Sequence, residues 1–223
     1  MKTKIISLQF AYFLRDIIER PDLEFESINK DLLNAFDDIP QTFPVPRELP
    51  PEVPVKTLRS TNGQYTCVIS RSRIDFHVTR IDDFSTNTEL LKDFNIKVAA
   101  LTKSITEKQE VNRFGIVARY FHEDRAPINT LQKKYFSQHV AGSNELSLRF
   151  NKQGHYSGYH INDIVEISAG EIFFNNQPRT GILVQRDINN TITSGHVITS
   201  STLNEISKRY SPKISEAEIM ELL

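Results

Sequence analysis

The sequence predicts an α+β protein made of two similar strand–helix–multistrand–helix units. Three observations point there. Runs rich in β-branched and aromatic residues recur between turn signals. Amphipathic, capped helical patterns separate these runs into two groups. The order of patterns also restarts at residue 111, an offset of about 110 residues, although few identities accompany it. The expected architecture is a pair of antiparallel sheets packed on helices and joined edge to edge into one continuous saddle-like sheet. This would be a single globular domain of two pseudo-repeats, about 1–110 and 111–223, and 223 residues suffice for one large core.

In the first unit, residues 3–14 (TKIISLQFAYFL) read as a strand. The preceding lysines give the N-terminus a passing likeness to a signal peptide. Ser7 and Gln9 interrupt the apolar stretch, however, and Arg15 and Asp16 follow with no small-residue cleavage site. Residues 27–37 set Ile28, Leu32, Leu33 and Phe36 at helical spacing behind a Ser27 cap, predicting a helix. Residues 39–55 hold six of the ten prolines and read as an extended connector laid over the surface. Two strands joined across Asn62-Gly63 follow, a hairpin signal. Next comes RIDFHVT, residues 73–79. There Ile74, Phe76 and Val78 alternate with Arg73, Asp75 and His77, so one face is apolar and the other polar. Thr86 and Glu89 form a capping box for a long helix carrying Leu90, Leu91, Phe94, Val98 and Leu101.

The second unit opens on the strand RFGIVARYF, residues 113–121, followed by a helix over 126–140 with Pro127 near its start. Three or four antiparallel strands are expected between residues 145 and 189, then a helix over 202–210 capped by Thr202 and Glu205. SEAEIMELL, residues 215–223, would add a final turn or two.

Composition excludes several function classes. Lys and Arg number 27, Asp and Glu 28, for a net charge of −1, so the whole chain gives no support for a phosphate-tracking protein. Residues 1–110 and 111–223 are both balanced, leaving neither a basic arm nor an acidic tail. No apolar run is long enough to span a bilayer. The single cysteine, Cys67, permits no internal disulfide and no cysteine zinc cluster, which fits a cytoplasmic setting; in its strand-like context it reads as a core residue. Phosphate-cradling glycine loops, the nucleophile elbow, HExxH and EF-hand patterns are all absent. The expectation is therefore a non-enzyme without metal or cofactor.

The candidate binding residues fall in two places. Arg113 and Arg119 share one strand face with Gly115 and Val117 between them, a shallow floor bearing two guanidinium groups suited to a carboxylate or phosphate. Pairing of each arginine with a neighbouring acid, such as Asp75 or Glu166, is the competing expectation. Arg73, Asp75 and His77 form the polar face of their own strand. HYSGYH, residues 155–160, offers His155, Tyr156, Tyr159 and His160 as a tyrosine-rich contact loop. A weaker reading joins His155 and His160 to Asp163 as a hydrolytic or metal centre, although the spacing matches no zinc signature.

VNRFGIVARYF, residues 111–121, resembles the Arg-x-Gly strand of a sporadically distributed family of uncharacterised bacterial proteins. That family follows the strand with an Arg-Tyr pair, echoed by Arg119-Tyr120. The proline-rich stretch, the STNGQYTCVISRSRIDF hairpin and the closing helix TLNEISKRYSPKI are similar in position. The resemblance implies a bacterial or mobile-element setting and no established activity. Together these readings predict an interaction protein, of the kind used in bacterial defence or immunity, that binds a protein partner as a monomer or homodimer. A nucleic-acid or nucleotide-binding module, contacting through Arg113, Arg119, Lys133 and Lys134, is the alternative.

Overall fold

The computed structural model describes residues 3–136, 138–174, 177–192 and 196–223. Its strands are β1 (Thr3–Leu14), β2 (Gln41–Thr42), β3 (Pro54–Arg59), β4 (Tyr65–Ser70), β5 (Arg73–Thr79), β6 (Val111–Glu123), β7 (Ser147–Tyr156), β8 (Tyr159–Phe174) and β9 (Gln177–Asn190). Its helices are α1 (Pro21–Glu24), α2 (Ile28–Asp31), α3 (Asn87–Thr106), α4 (Pro127–Tyr135), α5 (Ser200–Tyr210) and α6 (Glu216–Glu221). All nine strands form one sheet in the order β2-β3-β4-β5-β1-β6-β9-β8-β7, with every pairing antiparallel. The α+β class is as expected, and the β1–β6 pairing joins the two halves of the chain in one sheet. Outward from that pair, β5, β4, β3 and β2 run down one side and β9, β8 and β7 down the other, both in reverse chain order.

Alternation fixes which face is covered. Leu8, Phe10 and Tyr12 of β1, Ile74, Phe76 and Val78 of β5, and Phe114, Ile116 and Tyr120 of β6 all point to one side and are buried. The helices lie there. The Tyr12 hydroxyl donates to the Val98 carbonyl of α3 at 3.1 Å, and the Tyr120 hydroxyl to the Ile214 carbonyl ahead of α6 at 2.8 Å. Lys56 Nζ of β3 donates to the Asp22 carbonyl of α1, and the Tyr156 ring of β7 meets Tyr210 of α5. The buried side chains of both halves form one contiguous cluster. Cys67 belongs to it, and burial first, then the nearby Asp75 charge, pushes its thiol far above the ordinary range.

Local chemistry explains most element boundaries. Thr86 and Glu89 do close a capping box on α3: Thr86 accepts from the Glu89 amide, and the Glu89 carboxylate accepts from the Thr86 amide. The helix expected over 27–37 is cut short. Asn29 uses its side-chain amide to bond both the amide and the carbonyl of Phe36, at 2.9 and 2.7 Å, a competing local closure. Leu33 and Asn34 adopt φ 57°, ending the helix, and Leu33 is left exposed while Ile28, Leu32 and Phe36 stay buried. Ser27 makes no cap bond. The α5 cap also differs: Thr199, three residues before Thr202, accepts from the Thr202 amide, so the helix begins at Ser200. The helix expected over 126–140 ends at Tyr135; of its remainder, Ser137 lies outside the described residues. Strands β7 and β8 run farther than expected and turn across Ser157-Gly158, both at positive φ (51° and 84°), the backbone of a two-residue hairpin turn.

One glycine decides a strand junction. A Cβ on Gly181 of β9 would lie 2.2 Å from the His122 carbonyl oxygen and 2.7 Å from the Phe121 ring. Backbone cannot yield as a flexible side chain can. Gly181→Ala should therefore cost about 1–3 kcal/mol by overpacking the β6–β9 seam, read as a lower urea midpoint with unchanged slope. A midpoint equal to wild type would show that the seam has slack.

Candidate functional site: the open face of the sheet

Among the described residues, no helix covers the second face of the sheet. Its centre is built by register. Phe13 of β1 stands opposite Arg73 of β5 on one side and Arg113 of β6 on the other. The two guanidinium carbons lie 4.6 and 4.7 Å from the Phe13 ring centroid, so one ring carries a cation from each neighbouring strand. The next layer places Asp75 opposite Ala11, and Ala11 opposite Gly115. Asp75 accepts from Arg73 Nη2 at 2.6 Å and from Gln9 Nε2 at 2.8 Å. Beyond it His77 and Val117 flank Gln9.

Arg119 completes the row. It lies opposite Ser7 and Gln185, and its Nε donates to Gln185 Oε1 at 2.8 Å. A cavity of about 210 Å³ opens beside it, lined by Ile6, Glu166, Ser168 and Leu183 among others. Pairing with acids, the competing expectation for Arg113 and Arg119, holds for neither among the described residues: Arg119 takes the Gln185 amide, and the Arg113 side chain has no hydrogen bond or ion pair there. Asp75 pairs with Arg73 instead. The Nε atoms of Arg73 and Arg113 are enclosed without an acceptor.

Electrostatics follow from this packing. Burial holds the His77 pKa below its ordinary value; Asp75 opposes that shift, and the Arg119 and Arg73 charges add to it. His77 is therefore neutral at pH 7, and the centre of the face carries more positive than negative charge around it. Farther out the face becomes an amide ladder: Asn151 and Gln153 of β7 bond Asn162 of β8, which bonds Asn189 of β9, which bonds Asp187.

Alternation thus gathers Arg73, Asp75, His77, Arg113 and Arg119 on one surface. It divides the HYSGYH group instead. His155 and His160 are cross-strand partners on the open face, exposed, with ring centroids 4.1 Å apart. Tyr156 and Tyr159 point to the helix side: Tyr156 lies under Arg209, and Tyr159 is buried with its hydroxyl on the Val197 carbonyl at 3.0 Å. Asp163 also faces the helices, so it cannot join His155 and His160 in one centre; it lies three residues from His160, an odd step along a strand. No group of three or more His, Cys, Asp or Glu able to hold a metal ion occurs among the described residues. Lys133 and Lys134 sit on α4, where Lys134 bonds the Glu221 carbonyl of α6, away from Arg113 and Arg119.

No protein-family model matches this chain, and no curated protein matches it either. The site must therefore be read from its own chemistry. Phe13, Gln9 and Gln185 are the site residues that sequence reasoning missed. Phe13 carried the one available signal: it sits in the same alternation class as Ser7, Gln9 and Ala11, an aromatic side chain among small and polar ones. Among the described residues no helix is long and apolar enough to cross a membrane.

Proposed function

We propose that this protein is a non-enzymatic binding module that engages a protein partner through the open face of its sheet. One observation carries the reading: the helices cover one face, while the other presents Phe13 and Val117, both part-exposed, among arginines, acids and amides. Mixed surfaces with an aromatic centre suit protein recognition. Asp75, Glu166 and Asp187 share this face with the arginines, and they would repel a nucleic-acid backbone, so the nucleic-acid alternative has less support. The mirrored strand order supports two pseudo-repeats, 1–110 and 111–223, meeting at β1 and β6 in a saddle-like sheet. A bacterial defence or mobile-element role, as implied by the resemblance of VNRFGIVARYF, and a cytoplasmic site of action, consistent with one buried cysteine, complete the proposal.

Affinity capture from the native host tests it. Wild-type protein should retain one stoichiometric protein partner, as a monomer or homodimer. Val117→Arg, in the floor between Arg113 and Arg119, should abolish capture without altering the melting temperature. Lys92→Glu on α3, across the molecule, should retain it. Capture that is lost in neither variant, or no stoichiometric partner at all, would sink the reading.

A further inference from the structure

The Arg73–Phe13–Arg113 stack has an unequal charge count. Asp75 is the single carboxylate bonded to it among the described residues, and that carboxylate is taken by Arg73 and Gln9. Arg113 keeps its full charge over a ring that shuts water from one side. Its Nε is enclosed without an acceptor, and its two Nη groups make no hydrogen bond or ion pair among the described residues. A guanidinium held in this way is pre-organised, because the ring fixes its position and its planar fork stays available for a two-oxygen acceptor. Arg119 and Arg73 both act on His77, so the positive potential extends along the row.

We infer that Arg113, stacked on Phe13 beside Arg73, is a recognition site for a carboxylate side chain on an acidic segment of the protein partner. This rests on the open-face reading above and names the chemistry of its centre. A lone uncompensated guanidinium suits one carboxylate. The acids nearby on β5, β8 and β9 disfavour a polyanion that must lay many phosphates across the same face.

The full-length protein, ¹⁵N-labelled, offers a direct readout in its Arg73 and Arg113 Nε–H signals at low ionic strength. The probe is an acetylated, amidated tetraglutamate peptide, with the tetraglutamine peptide as control. Tetraglutamate should shift both arginine signals saturably, and tetraglutamine should not. Arg113→Gln should weaken tetraglutamate binding ~10-fold or more, the scale of a charge-assisted hydrogen bond. Arg113→Lys should recover part of it, keeping the charge but not the fork. Equal shifts with tetraglutamine, unchanged affinity in Arg113→Gln, or tighter binding of a thymidine octanucleotide than of tetraglutamate would each overturn the inference. Host capture separates it from its premise. A partner captured equally by wild type and Arg113→Gln overturns the carboxylate site and leaves the open-face reading standing. Tetraglutamate binding without any captured partner upholds the site and removes that reading.

Discussion

Asp163→Ala should lower the free energy of unfolding by about 3–5 kcal/mol, the cost of stranding a buried guanidinium. Asp163 of β8 and Arg186 of β9 face the helices, and both are almost fully buried. Arg186 meets Asp163 in a fork, Nε to Oδ1 and Nη2 to Oδ2, both at 2.7 Å. Lys213 Nζ adds a third bond to Asp163 at 2.9 Å, and Arg186 Nη1 donates to the Lys213 carbonyl at 2.7 Å. One ion pair thus ties the second half of the sheet to the segment leading into α6. Removing the carboxylate leaves Arg186 in the core with the Lys213 carbonyl and a long contact to Glu218 at 3.4 Å. The double variant Asp163→Leu/Arg186→Met separates charge from packing. Removing both partners together should recover most of the loss, because a buried pair and an apolar pair of similar volume are nearly equivalent. Chemical denaturation of the three proteins decides it. A double variant as weak as the single one would mean that packing, not the stranded charge, sets the cost.

The same pair fixes a pH dependence. Burial pushes the Asp163 pKa up, but the Arg186 fork and Lys213 outweigh it, and the carboxyl titrates below its ordinary range. A depressed folded pKa means that the unfolded chain takes up the proton first. The contribution of Asp163 is therefore complete above the unfolded value of about 3.9 and is lost as pH falls through the lower folded value. Several exposed carboxylates, among them Asp37, Asp82 and Glu89, shift in the same direction through backbone hydrogen bonds, so wild-type acid sensitivity is a sum. The difference between wild type and the double variant isolates Asp163. Wild-type stability relative to the double variant should be flat from pH 5 to 7 and should fall below about pH 4, where wild type alone loses the ion pair. A difference that stays constant down to pH 2 would contradict the assignment.

How much of this could be read from the sequence depends on the range of the interaction. Period-two alternation is local, so RIDFHVT and VNRFGIVARY each disclosed both faces, and Arg73, Asp75, His77, Arg113 and Arg119 fell together once β5 and β6 flanked β1. What brings them together is not local. The Phe13 contact depends on the β1 registers, which slip at Ile5/Ser7 and again at Phe13/Leu14. No period within one strand reports a bulge in its pairing. Helix 27–37 failed for a related reason: Asn29 closes on Phe36 through its side chain, a choice that apolar spacing does not record. The Asp163–Arg186 pair left a legible trace. Asp163 shares parity with Ile161, Val165 and Ile167, and Arg186 with Val184 and Ile188. Opposite charges on the apolar parity of two neighbouring strands mark an inward ion pair, and the reading of Asp163 as a partner of His160 overlooked that parity.

Phe76→Ala should be as costly as the ion-pair variant, about 3–5 kcal/mol, a large fraction of a stability that is itself about 5–15 kcal/mol in ordinary domains. Phe76 is fully buried on β5, opposite Phe10 of β1 and Cys67 of β4. Its ring stacks with Phe94 of α3 at 6.1 Å and with Tyr65 of β4 at 6.4 Å, and meets Phe36 edge-on at 6.4 Å. One side chain therefore holds the long helix, the hairpin and the 21–36 segment to the same strand. Truncation forfeits the transfer term, opens a cavity between elements that cannot all collapse into it, and breaks three ring contacts. Phe76→Leu keeps most of the volume and should cost less than about 1.5–2 kcal/mol. That milder variant bears on function. Asp75 and His77 flank Phe76 in sequence yet project from the open face, so the strand that closes the core also carries the site. If the leucine protein keeps the β5 register, it should bind tetraglutamate as wild type does while unfolding at lower denaturant. Loss of binding in step with loss of stability would mean that the Arg73–Phe13–Arg113 stack depends on the packing behind it, and that core and site are energetically one unit.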